Sequence, residues 1–392
     1  MRTGLRGPMV ASIVVAALEA GAVVVLLYQG VALGLAREMP RLDPDPPEPS
    51  APSAPRVSVV IAARDEEDDL PATLDSVLAQ DYANLEVVVV EGASRDRTRD
   101  VIDARAPKVR RIDEPPLPPG WVGKNWACAA GAASTDGDWL LFLDADVRLD
   151  PAAVRTALRW AEREGASLAS IAPRLEMRGF WERVVLPFYV QMVLTYFRAP
   201  HVNRRGSSTA MANGQFWLVR RSEYHALGGH AAVRGAIVED VAIARRYRAA
   251  GRVLRLAWAP GLATTRMYRD RREMFEGILK NVHGTEFSAA RQAGFAAALV
   301  GLFWLPLGLL PLGLGVGSAL LTVTGGVVAL ALFGKHAVFA RAVGAPAAYG
   351  LLYPVAVGFY VVVVVTSLAR GLRHGSVTWK GRAYPVGGKP PS

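Results

Sequence analysis

Two kinds of apolar run alternate along this chain, and each predicts a different structure. Val10 to Ala36 carries Glu19 as its only charge, and Ala293 to Gly334 carries none. Runs of that length reach across a bilayer. The second has room for two crossings, with Pro306, Pro311 and nearby glycines at the break, and Pro346 to Ala369, which contains Pro354 and Gly358, adds one more. The first run has no small-residue cleavage site and is long for a signal-peptide core, so it reads as an anchor. Between these lie strand-length runs. Val57 to Ala62 (VSVVIA) is followed by the charged turn Arg64-Asp65-Glu66-Glu67; Leu85 to Val90 ends on Glu91; Trp139 to Leu143 is the third. Helical spacing of Leu70, Leu74, Val77 and Leu78 predicts a helix over Leu70 to Leu78, Thr98 to Ala104 a short one, and Pro151 to Glu164 another after an Asp150-Pro151 start. Continuous apolar strands separated by helices predict an α/β fold with a mostly parallel sheet covered on both faces.

The resulting division is an anchor (1–38), a Pro-rich linker (39–55), an α/β domain (56–265), an amphipathic interfacial segment (266–291), a transmembrane region of about three spans (292–370) and a basic tail (371–392). Seven prolines (Pro40, Pro44, Pro46, Pro47, Pro49, Pro52, Pro55) predict an extended, semi-rigid spacer in the linker. Forty-five Lys and Arg against 35 Asp and Glu give a net charge of +10. Arg269, Arg271 and Arg272, and the basic residues after 369, adjoin apolar runs, which points to a membrane surface. No nucleic-acid-binding module is legible. Cys128 is the single cysteine, which excludes an internal disulfide and a cysteine metal cluster.

Candidate chemistry begins at LLFLDADV (140–147), a buried-strand pattern that breaks on Asp144 and Asp146. Carboxylates at the carboxyl tip of a parallel strand sit where open α/β sheets bind ligands, and hard divalent cations share oxygen ligands with phosphates. An ordinary acidic turn is the alternative for this octet alone. Glu66 and Glu91, at the ends of two further strands, converge on the same sheet edge.

These segments resemble family 2 glycosyltransferases of GT-A fold. SVVIAARDEE (58–67) resembles that family's opening strand and turn, VVVVEGASRDRT (87–98) its second strand and acidic turn, LDADV its Asp-x-Asp strand, and VEDVAIARR (238–246) its acceptor-site motif, with ANGQFWLVRRSEYHALGGH (212–230) before it. PPGWVGKNWACAAG (118–131) and WKGRAY (379–384) resemble a membrane-bound subgroup acting on hopanoid, carotenoid or ceramide-type lipids.

The resemblance implies metal-assisted, inverting transfer of a hexose from a nucleotide-diphosphate sugar, a UDP-sugar first, to a hydroxyl or carboxyl of a lipid. It implies Mg²⁺ or Mn²⁺ on Asp146 and Asp144, and donor contacts from Arg64, Glu66, Glu91, Lys124, Asp144 and Lys280, with Arg272 an alternative to Lys280. Glu91 stands where the family usually has aspartate, and Gly92 replaces a second acid. Asp240, preceded by Glu239, matches the general base; capping of a helix start is the competing role. His201, His225 and His230 lack metal-ligand spacing and carry no catalytic assignment. Phe180 to Phe197, interrupted by Glu182, Arg183 and Pro187, reads as an interfacial helix, with a buried core helix as the alternative. Met267, Met274, Phe275, Ile278, Leu279 and Val282 form a second apolar stripe, which favours a lipid acceptor. Cytosolic nucleotide sugars place the domain in the cytoplasm and the N-terminus outside. Three later crossings then strand the basic tail outside, unless one segment is re-entrant or interfacial. Competing functions are a processive polysaccharide synthase, whose Arg-Trp motif is missing from Arg271 to Asn281, and a nucleotide-sugar-binding pseudoenzyme or scaffold.

Overall fold

The computed structural model describes residues 6–46, 54–284, 288–373, 376–379 and 382–385. Pro47, Pro49 and Pro52 of the linker, and Lys380 and Lys389 of the tail, lie outside the described residues. After a long helix α1 (Arg6–Glu38), the chain forms β1 (Val57–Ala63), α2 (Leu70–Leu78), β2 (Leu85–Glu91), α3 (Thr98–Asp103), β3 (Arg110–Asp113), α4 (Gly123–Ala133) and β4 (Trp139–Asp144). Next come β5 (Val147–Leu149), α5 (Ala153–Arg163), β6 (Leu168–Ala172), β7 (Arg174–Leu175), α6 (Phe180–Tyr196) and β8 (Phe216–Arg220). Then follow α7 (Arg221–Ala226), α8 (Glu239–Ala249), β9 (Leu254–Trp258), β10 (Ala263–Thr265) and α9 (Arg271–Gly284).

Seven strands make one sheet in the order β3-β2-β1-β4-β8-β6-β9. Only β8 runs against its neighbours; the other pairings in this sheet are parallel. Val57, Val59, Ile61, Val89 and Leu141 pack on one face and Val60, Leu140, Phe142 and Trp217 on the other, all buried. Burial on both faces is why these strands read as unbroken apolar runs. Trp139–Asp144 is the fourth strand rather than the third, because β3 is a partly exposed edge strand of sequence RRID that offers no such run. In the register, Ala62 lies opposite Asp144 and Ala63 opposite Glu91, so the tips of β1, β2 and β4 end level.

Beyond α9 the chain continues through α10 (Ala289–Leu299), a π turn at Val300–Trp304, a 3₁₀ turn at Leu305–Gly308, α11 (Leu309–Val316), α12 (Ala319–Ala342) and α13 (Tyr353–Arg373) to a hairpin of β11 (Ser376–Trp379) and β12 (Arg382–Pro385). Among the described residues four segments are long and apolar enough to cross a membrane: Ser12–Glu38, Ala289–Val316, Ala319–Ala342 and Ala347–Gly371. Of the prolines and glycines expected at the break, a glycine makes the reversal: the chain turns at Gly317 (φ +67°), past Pro306 and Pro311. Pro306 lies in the 3₁₀ turn that follows the π turn, which absorbs its missing N–H without reversing the chain.

α1 and α12 run the same way, since Glu19 accepts from Thr324 (2.8 Å) and Gln29 from Lys335. The last apolar segment differs from a simple crossing. Just before it, Val343 lines the same cavity as Asp144, and Gly344 lies beside Arg174–Arg178. Near its end, Ser367 bonds His283 of α9 (2.7 Å) and Arg370 pairs with Glu276 (3.1 Å). One end therefore lies by the sheet domain and the other is held on α9.

Three expectations change. Arg41 bridges Trp258 of β9, Leu42 is buried, and Arg155 donates to the carbonyls of Asp45 and Pro46, so the start of the linker is docked along the sheet edge rather than a free spacer. α6 is packed between α1, α12 and α13, with Val185, Leu186, Phe188 and Gln191 buried; it is a core helix, not an interfacial one. Arg269 pairs with Asp68 and Asp69 (2.5 and 2.8 Å) at the β1–α2 turn rather than lying free for lipid headgroups.

Candidate active site

The β1 and β2 loops hold each other through side chains. Asp65 (φ +53°) donates its N–H to Ser94, Glu66 donates its own to Thr98, and Glu67 donates to Asp96 (2.8–3.0 Å). This fixes Arg64 and Glu66 at the sheet edge, and Arg64 Nη1 donates to the Gly92 carbonyl at 3.0 Å. β4 brings Asp144 and Asp146 to the same edge. The small sheet β5-β10-β7 places Thr265 so that its hydroxyl donates to Asp146 Oδ2 at 3.1 Å.

Lys124, at the start of α4, joins the two acidic motifs. Its Nζ is 2.7 Å from Asp144 Oδ1 and 2.7 Å from Glu239 Oε1. Burial would lower its pKa, but Asp144 and Glu239 outweigh that and hold it protonated. Glu239, nearly buried, is kept below the usual carboxylate range by Lys124 and Lys280 against the cost of burial. Asp240 lies at the start of α8 and accepts from the N–H groups of Gly214 (2.6 Å) and Val241 (2.7 Å). Burial, then the Glu239 charge, push its carboxyl up to about 7. Burial, then Asp144 and Glu66, push Asp146 up to about 7 as well. Lys280 of α9 faces the same cluster; burial and Lys124 lower its pKa against the pull of Glu239, Asp144 and Asp240.

Asn125, buried and one residue past Lys124, donates through Nδ2 to the carbonyls of Val233, Arg234 and Ala236 (2.9–3.1 Å). It ties α4 to the loop that delivers Glu239 and Asp240. GKN in the sequence carried that signal only in its lysine. Asp69, Glu114 and Thr265 also belong to the site without a motif of their own, as does Gly214 of the ANGQFW segment.

A cavity of about 590 Å³ opens on this cluster. Arg64, Glu66, Lys124, Asp144, Asp146, Glu239, Asp240 and Lys280 line its polar end, whereas Val193, Leu194, Phe197, Phe295 and Phe339 line an apolar arm between helices. Glu91 is not on that wall. It is buried, with Oε1 accepting from Ser94 N (2.6 Å) and Oε2 paired with Arg99 (3.2 Å), while Gly92 and Glu114 face the cavity. Arg272 is exposed and does not line it either. His230 is buried, bonded to Tyr224 (2.7 Å) and driven by burial down to about 3, so it is a neutral core residue.

Residues 58–228 match the family described as Glycosyl transferase family 2. The chain carries a family 2 glycosyltransferase domain. It is 28% identical over 230 residues to a 4,4'-diaponeurosporenoate glycosyltransferase of Staphylococcus haemolyticus, an alignment covering 58% of this chain and 60% of that protein. To the enzyme of the same name from Staphylococcus aureus (strain USA300) it is 25% identical over 336 residues, covering 84% and 88%. In fold it is similar to a mannosyltransferase from Pyrobaculum calidifontis solved with GDP-Man and Mn²⁺, at a TM-score of 0.54 and 18% identity, covering 91% of this chain and 99% of that one. The likeness to that GT-A structure agrees with the mostly parallel sheet.

The donor set also fits a divalent metal. Asp146 is crowded by Asp144 and Glu66, a surplus of negative charge that a cation would relieve. Among the described residues no three acidic, His or Cys side chains form a metal cage. Mg²⁺-type sites need none, because they take one or two carboxylates and complete the shell with substrate phosphates and water.

Proposed function

We propose that this protein is a membrane-bound glycosyltransferase that moves a hexose from a nucleotide-diphosphate sugar, a UDP-sugar first, to a terminal oxygen of an apolar lipid. The observation that carries this reading is the single cavity in which an acidic, cation-bearing end continues into an apolar arm between membrane-type helices. A polar donor and a greasy acceptor require that combination. The carotenoid acceptor in the names of the two relatives points the same way.

In this reading Asp146 and Asp144 hold Mg²⁺ or Mn²⁺, which when bound supplies Lewis-acid stabilisation of the leaving diphosphate. Lys124 and Lys280 add fixed positive charge where phosphate charge develops, and Arg64 and Glu66 position the nucleotide. Glu91 supports the β2 loop instead of touching the donor. The acceptor oxygen attacks the anomeric carbon from the face opposite the diphosphate, the bond from carbon to phosphate oxygen breaks, and the nucleoside diphosphate leaves with its electrons. Attack from that face inverts the sugar's configuration, and for a hydroxyl acceptor Asp240 takes the proton. Glu239 sets the charge around Asp240 through Lys124.

The same reading places the sheet domain (56–265) at the cytoplasmic face. α1, α10–α11 and α12 are the crossings and 347–371 is re-entrant, which returns the basic tail (371–392) to the cytoplasm in keeping with the positive-inside trend. The α9 region (266–291) lies at the interface.

The test is incubation of membranes containing the protein with a panel of radiolabelled sugar nucleotides and Mn²⁺, followed by solvent extraction. Label should enter the lipid phase with one donor and disappear in Asp146→Asn. Label that stays in water or enters a polymer with every donor removes the proposal.

A further inference from the structure

Three tyrosines from three different elements line the same cavity as the acid cluster: Tyr189 of α6, Tyr268 of the β10–α9 connection and Tyr360 of α13. Each lies close enough to the others to feel a charge placed there, and Tyr189 lies close enough to Asp240 to feel its charge. Tyr268 and Tyr360 are buried and Tyr189 is half-buried.

The hydroxyls are left with donor capacity. Tyr189 O accepts from Asn281 Nδ2 (3.3 Å), which leaves its own proton to donate. Among the described residues the Tyr268 and Tyr360 hydroxyls have no hydrogen-bond partner. A buried phenol normally finds one. Two together, on the wall of a cavity, imply that the partner is the occupant.

The position of Tyr268 is built rather than incidental. Its ring lies flat on α9 over Gly277, where a Cβ would come within 2.3 Å of Tyr268 Cε1 and 2.8 Å of its oxygen. Only glycine at 277 leaves that seat open, and the seat is what holds the phenol against the cavity.

We propose that Tyr189, Tyr268 and Tyr360 form a ring of phenol donors that grips the terminal oxygen, hydroxyl or carboxyl, of a single-headed apolar lipid and holds it beside Asp240. This rests on the glycosyltransferase reading and deepens it by naming the acceptor's form. One end carries a small oxygen group, and the rest is hydrocarbon without branching polar groups, since the arm beyond the ring is lined by side chains such as Val193, Leu194, Phe197, Phe295 and Phe339.

The full chain in lipid nanodiscs is titrated calorimetrically with three C20 probes: geranylgeraniol, geranylgeranoic acid and the hydrocarbon phytane. The wild type should bind the alcohol or the acid at least about tenfold more tightly than phytane, the scale of two hydrogen bonds in a water-poor site. Tyr268→Phe/Tyr360→Phe keeps ring volume and should lose most of the preference, with Tyr189 the one phenol donor left, and adding Tyr189→Phe should make all three probes bind alike. Gly277→Ala, which unseats Tyr268, should lose part of the preference. Wild-type binding without preference for the oxygenated probes, an undiminished preference in the double variant, or a preference that survives in the triple variant, overturns the proposal. Sugar transfer is read separately in the same nanodiscs: a wild type that grips the alcohol yet labels no lipid would remove the transferase reading and leave the ring.

Discussion

Asp240 offers the sharpest handle on the chemistry. Its carboxyl is pushed up to about 7 by burial and by the Glu239 charge. A general base works only when ionised, so at pH 6 about one enzyme in eleven would be competent and at pH 8 about ten in eleven. With a hydroxyl acceptor, kcat/KM for the donor, which reports groups of the free enzyme, should rise about tenfold from pH 6 to pH 8 and then level off. Asp240→Asn should lower it by 10²–10⁴, roughly the range for a lost general base. Glu239→Gln supplies the internal control. It removes a like charge beside Asp240 and frees Lys124 from one of its two carboxylates. Both effects lower the Asp240 pKa, so the rising limb should move to lower pH by about one unit, roughly 1.4 kcal/mol of interaction. Initial rates across pH 5.5–9 in a three-component buffer at fixed ionic strength read this directly. A carboxylate acceptor has no proton to surrender, and its rate would stay level or fall as Asp240 ionises, so the sign of the slope also reports the acceptor's head. A level profile with a hydroxyl acceptor, or a Glu239→Gln limb displaced upward, would refute the reasoning.

Lys124→Met should leave nearly buried Glu239 without its paired cation, with only the more weakly acting Lys280 nearby, a loss of about 3 kcal/mol. In the wild type the depressed Glu239 pKa stabilises the fold above its unfolded value and that stability is lost as pH falls through the folded value; the thermal-unfolding gap between variant and wild type should accordingly be widest at pH 8 and close only below about pH 4.5, where wild-type Glu239 itself takes up its proton, and a gap independent of pH argues against the pairing. Asn125→Ala strips the carbonyls of Val233, Arg234 and Ala236 of their shared donor, so melting should reveal about 1–3 kcal/mol of destabilisation, together with a kcat loss larger than any rise in donor KM. Glu91→Gln should lower Tm, because it weakens the Arg99 pair, while donor KM moves less than about threefold, the scale below one hydrogen bond; a tenfold rise would return Glu91 to the donor's contacts.

Some of this architecture is written in local pattern. The run VSVVIA, the spacing of Leu70, Leu74 and Val77, and LLFLD each match their element to within a residue or two, because a strand buried on both faces and a helix buried on one impose periods that composition cannot hide. The acids at strand tips were legible for the same reason: an apolar run that stops at a carboxylate marks where the sheet ends and solvent or ligand begins. Glu91 shows the limit of that rule. It sits at a strand tip in register with Ala63, but Ser94 and Arg99 lie close enough to claim its oxygens.

Sequence alone therefore fixed which residues carry charge at the sheet edge and which stretches avoid water, since both follow from each side chain's own solvation and the period of the backbone beneath it. Tertiary structure decided the rest. It set Lys124 between Asp144 and Glu239, gave Asn125 a loop more than 100 residues away, folded the last apolar segment back so that one end lies by the sheet domain and the other on α9, and gathered Tyr189, Tyr268 and Tyr360 on one cavity wall. Those partnerships join residues far apart in the chain, and no local periodicity encodes a distance that arises only when separate elements pack.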